Sequence, residues 1–310
     1  MTTIAVRTQA EEPTAPSKLR AAARQFGVVW SNTKARIGII ILAVLVIVAI
    51  FAPLLAPYGA SQNGFARSAD ATGAHWMGTT AAGEDVLSQI IYGARISVLV
   101  GAVAGLLSTL VAVAIGLSWG YVRGWIAEVI GFIVNLFLVI PGLPLMIVIA
   151  AYLQNGGIAV IIAVIVVTGW AWGARVLRSQ TQSLRGRDFV TAAQFSGDGA
   201  TRIVFREILP NMTSLIVGSF FGAATSAILA EAGLEFLGLG DSSIVSWGTI
   251  LYWAQNSNAL LTGQWILLFA PGLCIALLAM SLTLINFGVD AVSNPRLREG
   301  ARRKRKEATA

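Results

Sequence analysis

Runs of apolar residues divide the chain into six stretches long enough for a membrane-spanning helix, which needs roughly 20 residues. The first extends from 37 to about 55 and is almost pure Ile, Leu, Val and Ala until Pro53 and Pro57 close it. The second covers about 96–120. The third, about 126–152, carries Asn135 and the interruption Pro141-Gly142-Leu143-Pro144. The fourth, 158 to about 172, follows the turn signal Asn155-Gly156-Gly157. The fifth lies between 213 and about 237, the sixth between 265 and about 288. The pattern predicts an all-α polytopic membrane protein with six transmembrane helices. The first run is too long for the apolar segment of a cleaved signal, so it is expected to remain a span.

The polar intervals complete the layout. A tail covers 1–36, in which a membrane-surface helix at about 19–30 would use Phe26 and Trp30 as interface anchors. An outer loop covers 57–95, and a second one about 240–264. The core unit spans 96–290 and contains the one long inner connection, 173–211. That connection is hydrophilic yet rich in helix formers, which predicts a folded element instead of a linker. A second tail covers 291–310.

Composition agrees with this layout and narrows the chemistry. Hydrophobic residues make up 56% of the 310 and charged residues only 12%, with a mean hydropathy of +0.74. A soluble core this apolar would lack the polar surface to cover itself. One cysteine, Cys274, and one histidine, His75, leave no intrachain disulfide and no Cys/His metal site. No Gly-rich phosphate-binding loop with its lysine is present either, so ATP hydrolysis by this chain is not expected. Of 22 Lys and Arg, 20 fall in the two tails, the 2–3 connection and the 4–5 connection. Such bias places both termini in the cytoplasm and accounts for the net charge of +7 without any role for nucleic acid. The run Arg302 to Lys306 suits anionic lipid headgroups.

The inner connection holds the sharpest string: Arg187, Asp188, Phe189, Val190, Thr191, Ala192, Ala193, Gln194, Phe195, Ser196, Gly197, continuing past Arg202 and Arg206 to Glu207-Ile208-Leu209-Pro210. It predicts a short helix, a glycine stop, and a second helix N-capped by Asp198 and ended at Leu209-Pro210. Such a helix can dock in a groove of a partner protein.

This string resembles the EAA loop of ABC importer permeases, in which Glu-Ala-Ala, three residues, Gly and nine residues precede Ile-x-Leu-Pro. Ala192, Ala193, Gly197, Leu209 and Pro210 match, whereas Thr191 replaces Glu and Glu207 replaces Ile. His75 to Thr79, Gly83, Asp85 to Ser88 and Tyr92 to Ser97 resemble a segment of the second permease subunit of dipeptide and oligopeptide importers. Thr80, Glu84 and Gln89 depart from that segment's Asp, Arg and Arg. Phe236 to Gly240, Ser246-Trp247-Gly248 and Asn294 to Arg298 continue the likeness, with Glu235 in place of Ser.

The resemblance implies a type I ABC importer permease in the plasma membrane, with peptides as cargo and oligosaccharides or nickel as alternatives. It implies a related second permease as heterodimer partner, two cytoplasmic ATP-binding subunits that carry ATP and Mg, and an extracytoplasmic substrate-binding protein. By the same resemblance Arg187, Asp188, Phe189, Thr191, Ala192, Ala193, Phe195, Gly197, Arg202, Arg206, Leu209 and Pro210 become the ATPase-coupling site. Glu231 and Glu235, one helical turn apart on the fifth span, form either a negative wall of the translocation path or a satisfied pair near the outer interface. Asn135, Pro141 and Pro144 would line the same path, or mark only a packing irregularity. The Gly101/Gly105 and Gly116/Gly120 spacings suggest close helix packing. A secondary transporter would instead need midplane coupling carboxylates and an inverted repeat, and no such repeat is seen.

Overall fold

The computed structural model describes residues 27, 30–153 and 157–293. The cations Arg7, Lys18, Arg20 and Arg24, most of the surface helix expected at 19–30, the Asn155-Gly156 turn and the cations from Arg296 onward lie outside the described residues. Helices α1 (Thr33–Ile50), α3 (Val86–Tyr121), α10 (Thr213–Phe236) and α12 (Ile266–Ser293) form the main shafts. A single turn, α2 (Ala52–Leu55), follows α1. Two bent pairs complete the bundle: α4 (Trp125–Val139) with α5 (Gly142–Tyr152), and α6 (Gly157–Gly169) with α7 (Ala171–Arg185). Among the described residues four helices are long and apolar enough to cross a membrane by themselves, and counting each bent pair as one crossing gives six.

The third span is therefore broken, not continuous. Its halves meet at 88°, because Pro141 is extended (ψ 117°) and provides the start of α5. A proline cannot carry the helix hydrogen bond through that point. The α6–α7 bend is milder, 41°.

The sequence pattern places the start of the second span near Ile96, but α3 begins at Val86. Asp85 caps it, accepting from the Ser88 amide at 2.8 Å and the Ser88 hydroxyl at 2.7 Å. Polar Gln89 and Arg95 conceal this first stretch from a hydrophobicity reading. A second departure lies in the long connection. After α8 (Asp188–Phe195) and α9 (Ala200–Ile203), the chain does not stop at Leu209-Pro210. It widens into a π turn (Val204–Ile208), where the Leu209 amide reaches the Val204 carbonyl, then tightens into a 3-10 turn (Leu209–Met212) and enters α10. Pro210 sits in the first positions of that 3-10 turn, where its missing N–H costs nothing. Asp198 is not the cap of α9. Gly199 holds that position, and the Asp198 carboxylate instead pairs with Arg202 Nε at 3.2 Å.

α3 is the post of the bundle, packing most extensively on α10 and α7, while α12 packs on α1 and α10. Its glycines permit this closeness. A Cβ at Gly101 would lie 2.4 Å from Ile228, and one at Gly105 2.6 Å from the Ala224 Cα. Lower down, Gly116 meets the Ala174 carbonyl at 2.8 Å and Gly120 the Thr181 Cβ at 2.5 Å. The two spacings thus serve two different neighbours, α10 and α7.

Gly105→Val should destabilise the protein by about 1–3 kcal/mol, since the colliding atoms are backbone and cannot swing aside. Gly233→Ala, also on a span but with no atom within 4 Å of the added carbon, should be neutral or stabilising by up to about 1 kcal/mol. Thermal unfolding of the detergent-solubilised protein measures both.

Candidate functional site

The long connection packs into one block on the arginine-rich face. α7 is pinned to the end of α3 by the two lower glycines and by two arginines. The Arg178 guanidinium lies 3.8 Å from the Trp119 ring centroid, a cation–π contact, and the Trp119 Nε1 donates to the Ala127 carbonyl at 2.7 Å. Arg185 donates to the Tyr121 carbonyl at 2.8 Å. Beneath this, Val190 of α8, Ile203, Ile208 and Met212 turn inward and join Leu177 and Trp119 in one buried cluster. Ala193 and Leu209 pack on its edge.

What remains outward is aromatic and basic. Phe195 is 88% exposed and Phe205 61%, and Phe189, Thr191, Ala192, Arg187, Asp188, Arg202, Arg206 and Pro210 are also exposed. α8 ends in a Schellman motif: the Asp198 amide donates to the Ala193 carbonyl at 3.1 Å and the Gly197 amide to Gln194 at 3.0 Å. Gly197 takes φ +83°, which is why a glycine stands there. Val190 and Phe205 escaped the sequence reading. Val190 was signalled by its three-residue spacing from Ala193, and Phe205 by being an aromatic among Arg and Glu.

The opposite face is built around a helix in the second outer loop, α11 (Trp247–Asn256), started by a capping box between Ser246 and Thr249. Here Glu231 and Glu235 are enclosed, 0% and 2% exposed. The Ser97 hydroxyl lies 3.3 Å from Glu231 Oε1, and the Ser246 hydroxyl donates to Glu235. Trp247 Nε1 donates to the Ile90 carbonyl at 3.0 Å. These carboxyls join α3, α10 and α11 inside the protein, where the sequence left open a wall facing the path. Asn135 is tied to Arg175 Nη2 at 2.6 Å, Pro141 lies at the span break, and Pro144 is exposed in the first turn of α5.

The loop before α3 folds on His75, whose ring packs at a tilt against Phe65 and Tyr58, at 4.6 and 5.1 Å between centroids. Its Nδ1 lies 2.9 Å from Asp85, so the histidine steadies the cap of α3. Beside it, a cavity of about 430 Å³ opens between this loop and α11. Thr80, Glu84 and Gln89 line it together. Gln89 donates to Glu84 at 2.7 Å and the Thr80 hydroxyl to the same oxygen at 3.3 Å. Across the cavity's rim, the Ser243 hydroxyl and amide donate to Asp241 and hold its carboxyl below the usual carboxylate range.

Comparison with known proteins settles what kind of molecule carries these two faces. The family model for the binding-protein-dependent transport system inner membrane component matches residues 112–299, and that for the N-terminal transmembrane domain of oligopeptide transport permease C matches 27–70. The chain belongs to this family of transport permeases. It is 34% identical over 295 residues to the dipeptide transport system permease protein of Alkalihalophilus pseudofirmus, covering 93% of each chain. It is 32% identical over 275 residues to that of Bacillus subtilis, covering 86% of this chain and 83% of the relative. The oligopeptide transport system permease protein of Bacillus subtilis is 31% identical over 272 residues, 87% of this chain and 88% of that one. As a family member, the chain is a membrane permease subunit of an ABC importer, a system built from several subunits. In this permease the three departures at 80, 84 and 89 are one change. Two uncharged donors now surround a single carboxylate at 84, where the related pattern has a base at that position, with an acid at 80 and a second base at 89.

Glu231→Ala should destabilise the permease by about 1–3 kcal/mol, because Ser97 is left buried without its partner. Glu231→Gln, which keeps a hydrogen-bonding group, should cost less than about 1 kcal/mol. Unfolding midpoints in detergent measure this. An unchanged midpoint with uptake lost would instead favour a role in the path.

Proposed function

We propose that this permease is half of the translocation unit of an ATP-driven importer of peptides, and that α8 is the element through which ATP hydrolysis moves it. The observation that carries the reading is the outward aromatic face of α8, capped at Gly197 and fixed to a block that includes the end of α3. A pair of phenylalanines held in water at the tip of a membrane bundle suits burial in a partner's cleft. The site comprises Arg187, Asp188, Phe189, Thr191, Ala192, Ala193, Phe195, Gly197, Arg202, Arg206, Leu209 and Pro210, with Phe205 beside them.

The partners are two cytoplasmic ATP-binding subunits under this face, a related second permease alongside, and an extracytoplasmic binding protein on the face that holds α11. ATP and Mg are held by the ATP-binding subunits, and this chain itself hydrolyses nothing and holds no cofactor. The membrane is the cytoplasmic one, and the cation bias supports both termini on its inner side. Peptide cargo rests on relatives named for dipeptide and oligopeptide transport. A ligand screen on the cognate binding protein separates peptides from oligosaccharides and nickel.

The motion follows from rigidity. When ATP draws its two subunits together, a seated α8 must travel with them, and α7 passes that displacement to α3 and the spans rock. ATP drives this only by binding the outward-open form better than the inward-open one.

Gly197→Arg should abolish ATP-driven uptake while leaving membrane insertion intact. A Cβ there has open space, so the fold loses only the roughly 1 kcal/mol of a left-handed non-glycine residue, while the bulk falls on the docking surface. Full uptake by this variant, measured in cells with matched membrane levels, would remove α8 from the coupling role. A solubilised complex that carries no ATP-hydrolysing partner would overturn the importer reading as a whole.

A further inference from the structure

A second cavity, of about 480 Å³, opens beside the α6–α7 bend between α3, α7, α10 and α12. One of its walls is a stripe on α10, Gly218, Ser219, Gly222 and Ser226, brought to one side by helical spacing. A Cβ on Gly222 would meet nothing within 4 Å, so this wall faces open space.

Two polar side chains on the other walls have no partner. Ser108 of α3 is 3% exposed, and its hydroxyl makes no hydrogen bond; the Asn286 side-chain carbonyl of α12 is buried and equally unpaired. Both line the cavity. An unpaired buried polar group in a membrane span is costly, which makes sense where a passing solute or water completes it. Among the described residues no Asp, Glu, Lys, Arg or His lines this space.

We propose that this cavity is the permease's own share of the cargo path. It takes the neutral hydrogen-bonding groups of the cargo, the amide N–H and C=O of a peptide backbone, and leaves the charged ends to be read elsewhere. Ser108 can donate or accept, and Asn286 offers both an acceptor and two donors, matching a chain that alternates the two. The proposal rests on the importer reading above and moves the path away from Glu231 and Glu235.

Cys274 is the chain's one cysteine, so a Cys274→Ser background makes single thiols informative. Ser108→Cys and Ser226→Cys are placed in the full complex, with Leu229→Cys, 53% exposed on α10 and outside the cavity, as control. Each is treated with methanethiosulfonate ethylammonium, without nucleotide and after trapping with ATP and vanadate. Both cavity thiols should react, at rates that differ between the two states by about tenfold, while the control does not change. Asn286→Leu should cut dialanine uptake about tenfold with ATP hydrolysis retained. If ATP is hydrolysed but the cavity thiols are inert or react equally in both states, the cavity is not the path. Undiminished dialanine uptake by Asn286→Leu would overturn the hydrogen-bonding role. A complex that neither hydrolyses ATP nor traps vanadate would overturn the importer reading itself.

Discussion

Close approach of helix backbones is the constraint on which this protein depends. Lipid tails are as apolar as leucine, so burying apolar side chains against one another gains little inside a membrane, and contact must come from small residues. Two pairs of glycines on α3 act at two levels, and each level admits a different neighbour. The upper pair brings in α10, the lower pair α7. A single helix therefore fixes the relative positions of the span that carries the serine-glycine stripe and the arm that leads into α8.

That arrangement separates two kinds of packing. On the face that holds α11, buried polar groups knit the structure: Ser97, Glu231, Glu235, Ser246 and the capped start of α3. On the arginine-rich face, the inward residues of the long connection are apolar, with Val190, Ile203, Ile208 and Met212 around Leu177 and Trp119. The first kind depends on direction and fails when a partner is lost. The second depends on close contact and not on direction, so it holds the long connection together as one packed block.

The spans were legible because a run of about 20 apolar residues suits a bilayer crossing and little else, and the break in the third was legible from Pro141 and Pro144. The outward residues of the long connection were legible from their string. Less legible were elements whose identity depends on distant contacts. The first turns of α3 are interrupted by Ser88, Gln89 and Arg95, and their place in the helix is set by Asp85 and by α11, which lies far along the chain. Leu209-Pro210 looked like a helix end, because a proline that stops one helix can equally sit in the first turn of the next. The spacing of Glu231 and Glu235 told that they share a face, but not that Ser97 and Ser246 would be waiting there.

The π turn at Val204–Ile208 sets the aim of everything after it. A wide turn holds one residue more than an ordinary one, and each residue of a helix advances the side chains by about 100°. The tighter 3-10 turn that follows, Leu209–Met212, overwinds the chain and returns most of that angle. Were only one of the two turns made regular, the serines and glycines of α10 would point away from Ser108 and Asn286, although every residue of the span itself were unchanged. The orientation of the stripe is thus set outside the span, in the connection that also carries α8.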